Sequence, residues 1–90
     1  MVEYEPKTII IKDEGLTLPN VGIAVGFGLP TYVRHIRPAL AEELTTIDGK
    51  VPGKQIWQIN EIAKELRRSG VLQKRKKPVK IVFELSEDLS

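Results

Sequence analysis

The chain has 90 residues, 41% of them hydrophobic and 29% charged, with a formal net charge of +2. That length holds one domain (1–90) rather than two, and the balance of apolar and charged residues is that of a globular chain rather than a disordered one. It contains no cysteine and a single histidine, His35, which excludes a disulfide framework, a thiolate metal site and a multi-histidine centre.

In chain order, Met1-Val2-Glu3-Tyr4-Glu5-Pro6 reads as a loose, flexible end. Lys-Thr-Ile-Ile-Ile-Lys at 7–12 is a β-branched run bounded by charge and predicts a short strand; Asp13-Glu14-Gly15 is a turn signal. Val-Gly-Ile-Ala-Val-Gly-Phe at 21–27 reads as a buried strand, weakened by its two glycines and ended by Gly28-Leu29-Pro30. A helix follows. Thr31 is a candidate N-cap, and Val33, Ile36, Leu40 and Leu44 fall on one face at spacings of three and four. Pro38 either kinks this helix or marks a fresh start; the stretch 39–44 is helical on both alternatives. With two glycines and a proline, 48–53 is a loop or a very short strand.

The stretch 55–69 predicts a second helix, its stripe formed by Ile56, Ile59, Ile62, Ala63 and Leu66. Glu61 comes early in it and Arg67 and Arg68 late, as the helix dipole favours. Gly70 can take the left-handed cap conformation, and Val71 can pack back on the last turn. Val71-Leu72-Gln73 then begins a strand, Lys74-Arg75-Lys76-Lys77-Pro78 forms a tip, and 79–85 returns with Val79, Ile81, Phe83 and Leu85 on one face. The expected fold is α+β: a small mixed sheet, two helices and a basic-tipped C-terminal β-hairpin.

The net charge hides an uneven distribution. Between Arg67 and Lys80 lie Arg67, Arg68, Lys74, Arg75, Lys76, Lys77 and Lys80 with no acid among them, whereas the rest of the chain carries 7 basic and 12 acidic residues. A projecting lysine/arginine cluster can neutralise several phosphates and release their counterions. It offers no base-reading code, so its contacts would be to the backbone and largely independent of sequence. The plain alternative is a solvated turn that blunts a sheet edge.

Other features carry less. Gly22, Gly26 and Gly28 precede a helix, yet neither the dinucleotide fingerprint nor the P-loop pattern is complete, so strand termination and close packing explain them better and no cofactor is expected. Arg34, His35 and Arg37 form either a phosphate contact or a solvent face. His35 has no nucleophile with a sequence signature beside it, and Glu42-Glu43 point about 100° apart on a helix; the chain is expected not to be an enzyme. Trp57 flanks the second helix's stripe, suited to core or interface packing more than to stacking on a base.

The order strand, helix, short link, helix, basic hairpin resembles the Alba family of archaeal nucleic-acid-binding proteins. Val25-Gly26-Phe27-Gly28-Leu29-Pro30-Thr31-Tyr32-Val33 resembles that family's strand end and first-helix start. Gly53-Lys54-Gln55-Ile56 resembles its start of the second helix, and 79–85 its final strand. The resemblance implies a homodimer gripping DNA or RNA, with Lys74, Arg75, Lys76 and Lys77 on the arm and Lys54 widening the patch. The family carries a lysine pair where this chain has Phe27 and Gly28. The same elements also resemble a winged-helix domain with 55–69 as recognition helix, although Glu61 and Glu65 would then face DNA.

A domain this small buries only roughly 60–65% of its unfolded surface, and association with a second copy would relieve that. No apolar run approaches the roughly 20 residues of a membrane span, and the acidic N-terminus is unlike a secretory leader, so a cytoplasmic location is expected. The cysteine-free, Lys/Glu/Ile-rich composition fits a thermophilic source. The leading expectation is a non-enzymatic protein binding the DNA or RNA backbone. The rival is a protein-assembly subunit that grips an acidic protein partner with its basic run and extends a sheet at 7–12.

Overall fold

In the computed structural model, residues 7–73 and 79–86 are described. The loose end expected at 1–6 and the hairpin tip expected at 74–78 lie outside them. The fold is α+β: β1 (Lys7–Lys12), α1 (Leu18–Val25), α2 (Leu29–Thr31) continued by a π-helical turn (Tyr32–Ile36) and a 3₁₀ turn (Arg37–Ala39), then α3 (Gly53–Arg68) and β2 (Val79–Glu84).

β1 has the bounds its charge-flanked isoleucine run predicts. Its partner is not. β2 pairs with β1 in parallel, Lys7 beside Val79 through Lys12 beside Glu84. The predicted C-terminal hairpin is therefore corrected: Val71, Leu72 and Gln73 form no strand, and the other strand of the pair comes from the opposite end of the chain. Parallel strands need a long crossover, which everything between Lys12 and Val79 supplies.

The run 21–27, predicted as a strand, is helical to Val25. Thr17 is extended and Pro19 stands in the first turn, where a missing N–H costs nothing. Gly26, at φ 93°, closes the helix with its N–H on the Gly22 carbonyl at 2.7 Å, a left-handed stop that glycine adopts without strain. The helix packs Val21, Gly22, Ala24 and Val25 inward and leaves Ile23 on the outside.

The next helical run starts at Leu29, earlier than either Thr31 or Pro38. Thr31 is inside it, with Gly28 as the flanking residue. Pro38 has no N–H to continue an α-helical ladder; the chain widens into the π turn, tightens into the 3₁₀ turn and is extended by Leu40. The helix expected over 39–44 is thus absent beyond Ala39. That segment is held by a tertiary contact instead. The side-chain amide of Gln55, buried on α3, donates to the Glu43 carbonyl at 3.0 Å and accepts the Thr45 N–H at 2.9 Å.

Asp48 and Gly49 both have positive φ (53° and 75°), and Ile47 and Lys50 exchange two backbone hydrogen bonds across them. This is the two-residue turn that Asp-Gly favours. It aims Val51 back into the core, where it exchanges two bonds with Leu16. Gly15 is obligatory here: its φ is +71°, and a Cβ would lie 1.6 Å from the Val51 carbonyl oxygen.

α3 begins where a Cβ on Gly53 would stand 2.3 Å from the Lys12 carbonyl oxygen, so its start is locked against the C-terminal end of the sheet. Its predicted stripe is the centre of the core: Ile56, Ile59 and Ala63 are fully buried with Ile11, Val21, Val25, Tyr32, Ile36 and Val51. Gly70 takes the predicted left-handed conformation (φ +85°), but Leu72 rather than Val71 packs back, its N–H on the Leu66 carbonyl at 3.1 Å. The end of β2 is tied down by Asp13, whose carboxylate accepts the Ser86 N–H at 3.1 and 3.3 Å.

Candidate nucleic-acid interface

The parallel register determines where the basic run meets the fold. Residue 79 begins β2 at the same end as Lys7, and Lys80 lies opposite Thr8. The chain therefore enters β2 at the end of the sheet where Lys7 and Lys80 stand, both exposed and on opposite faces of it. Lys7 had served in the sequence only as a strand boundary. Its place beside Val79 is a product of pairing between residues some seventy positions apart, which no local pattern announces.

The other predicted site residues divide. Lys74, Arg75, Lys76 and Lys77 lie outside the described residues. Arg68 is exposed at the end of α3 and makes a 3.4 Å ion pair with Glu65, a surface contact that solvent screens. Arg67 is turned inward: its guanidinium donates to the carbonyls of Val25 and Gly26, at the end of α1. It caps one helix from another and neutralises the negative end of the α1 dipole. Lys54 is exposed in the first turn of α3, fourteen residues and about 21 Å of helix from Arg68, so α3 separates these two residues rather than joining them.

Arg34, His35 and Arg37 are all exposed on the π and 3₁₀ turns. Arg37 acts electrostatically on Tyr32, whose phenol is raised above its ordinary value by burial, with Arg37 pulling the other way. Tyr32 stacks on Phe27, with ring centroids 5.8 Å apart. Trp57 is half-buried and lines a shallow hollow with Leu40 and Ile62, in keeping with a packing role. Among the described residues no three His, Cys, Asp or Glu side chains gather as metal donors.

Residues 15–33 contain no charged side chain. They fold into α1, α2 and their link, around an apolar groove of about 370 Å³ lined by Leu18, Pro19, Ile23, Phe27, Leu29 and Tyr32. Ile23 is 72% exposed and Leu29 67%. A second hollow shares Phe27 with this groove and is walled on its far side by Val71, Leu72 and Gln73. The groove and Gln73 are therefore near neighbours.

Among the described residues, no helix is long and apolar enough to cross a membrane. The chain matches no family model, no curated protein and no solved structure at a significant level, so the likeness to the Alba family and to winged-helix domains rests on sequence text alone.

Proposed function

We propose that this protein binds the phosphate backbone of nucleic acid, largely without regard to sequence, through Lys74, Arg75, Lys76 and Lys77, with Arg68, Lys80 and Lys7 extending the patch. The observation that carries this is the concentration of seven positive charges and no acid between 67 and 80, in a chain whose β2 starts at the end of the sheet where Lys7 and Lys80 are exposed on its two faces. Arg67 caps α1, and Lys54 stands exposed at the opposite end of α3 from Arg68. Backbone binding of this kind rests on counterion release and weakens steeply with salt. Binding of the purified protein to a random-sequence duplex and to an RNA hairpin across a salt series tests it. Micromolar or tighter binding with a steep salt slope and little sequence preference is expected; no binding at low salt would overturn the proposal.

The apolar groove supports a second reading, a protein-assembly subunit. Contiguous exposed apolar surface is a mark of partner sites, and a hollow beside it reaches Gln73, which in sequence precedes a basic run suited to an acidic partner. Ile23→Asp separates the two readings: nucleic-acid binding survives it, and docking of an apolar partner does not.

A further inference from the structure

The two strands of the sheet are unequally finished. On the inner face Ile11 of β1 is 1% exposed, yet Ile81 and Phe83 of β2, on the same face, are only half-buried. Among the described residues, β2 has a strand on one side only, so the incomplete cover lies along its free edge. A two-stranded sheet is marginal on its own, and parallel pairs are normally covered on both faces. Here the outer face presents Ile10 beside Val82, with Ile10 49% exposed.

The side chains along that edge are self-complementary. Lys80, Val82 and Glu84 share the outer face, with both charged residues exposed. When β2 is laid antiparallel on a second copy with Val82 opposite Val82, Lys80 falls opposite the second copy's Glu84, and Glu84 opposite its Lys80. On the inner face, Ile81 meets Phe83 and Phe83 meets Ile81. Every cross-strand pair is then oppositely charged or apolar, the combinations that stabilise antiparallel strands. β1 has no such symmetry: it is Lys-Thr-Ile-Ile-Ile-Lys, with no acid, so in the registers that keep its inner face inward Lys7 meets Ile11 or Lys12 meets Thr8 and no lysine gains a counter-charge. A lysine guarding an edge against association loses that effect when the same edge supplies its counter-charge.

We infer that the free edge of β2 is a homodimer interface, in which two copies pair antiparallel about a two-fold axis through Val82 to form a four-stranded sheet in the order β1-β2-β2-β1. The two-fold closes the contact, so the association stops at two copies. The interface stands independently of nucleic-acid binding. Where both hold, the two copies of Val79, each two residues after its basic run, lie at opposite ends of the paired strands, about 20 Å apart for six-residue strands, so that two runs serve one phosphate backbone.

Charge reversal at the two exposed positions tests this in the absence of nucleic acid, by sedimentation equilibrium on the parent and on Lys80→Glu, Glu84→Lys and the double variant. Circular dichroism melts establish that each variant is folded. The parent dimerises, each single reversal weakens association about tenfold or more, and the double variant regains it. An equimolar mixture of the two single variants forms heterodimers, because each supplies the charge the other lacks. A parent that is monomeric up to about 100 µM, single reversals that dimerise as tightly as the parent, or a mixture with no preference for the heterodimer would each overturn the interface. Loss of nucleic-acid binding with the dimer intact would count against the proposed function only.

Discussion

α1 and α3 meet solvent in opposite ways. α3 buries Ile56, Ile59 and Ala63 and turns Lys54, Glu61, Lys64, Glu65 and Arg68 outward. α1 buries Val21, Ala24 and Val25 and turns Ile23 and Pro19 outward, without one charged residue. Both close on a left-handed glycine, Gly26 and Gly70. The contrast shows that helical periodicity is visible only when the two faces differ in polarity. It also shows that the outer face of α1 is not built for water alone.

The sharpest way to break this contrast is to truncate one isoleucine on each helix. Ile59→Ala empties a fully buried site and is expected to cost about 2–5 kcal/mol, whereas Ile23→Ala, on a side chain 72% exposed, is expected to cost within about 0.5 kcal/mol. Urea denaturation of both variants measures it. Equal losses would mean that the outer face of α1 is as covered as the core.

A smaller effect separates two neighbouring arginines that the sequence treats alike. Arg67 holds the end of α1 through two carbonyls, and Arg67→Ala is expected to cost about 1–3 kcal/mol. Arg68, in an exposed ion pair, is expected to cost no more than about 0.5 kcal/mol when replaced by alanine. If the two melt alike, the contact between α3 and α1 does not hold the fold.

The smallest effect is in pH. Burial raises the Tyr32 phenol above its ordinary value of 10.0, so the folded state favours the neutral form. That contribution is complete below the unfolded value and is lost as pH climbs from there through the raised folded value. The Tm of the parent should therefore fall more between about pH 9 and 11 than that of Tyr32→Phe. Lysine titration is common to both proteins and cancels in the difference; identical profiles would place Tyr32 in a solvated setting.

Much of the fold was legible where one local rule acts alone. The isoleucine run between two lysines became β1 with the same bounds, the stripe of α3 became the core, and Gly70 stopped the helix. The errors fall where a distant contact overrides the local pattern. In 21–27 apolar residues occupy both faces of α1, so the helical period was hidden, and Pro19 before the run and Gly26 within it were the only signs of a helix. The stretch 39–44 lost its helix to Pro38 and to the amide of Gln55. The strand expected over 79–85 forms at 79–84, but with a different partner, since nothing within it distinguishes a hairpin neighbour from a strand at the far end of the chain. The basic run was plain in the composition. That Lys7 stands beside the start of β2 and that Arg67 serves α1 needed the fold.

The central claim is that the run at 74–77 carries the binding. Its most direct test is the salt slope of duplex binding for the parent and for the quadruple variant Lys74→Ala, Arg75→Ala, Lys76→Ala, Lys77→Ala. Each phosphate contact contributes about 0.9 to the slope on a duplex. The variant is therefore expected to bind far more weakly, with a slope shallower by about 3 to 4 where all four residues touch phosphate. A variant that binds with the parent's affinity and slope would contradict the account and move the interface elsewhere on the molecule.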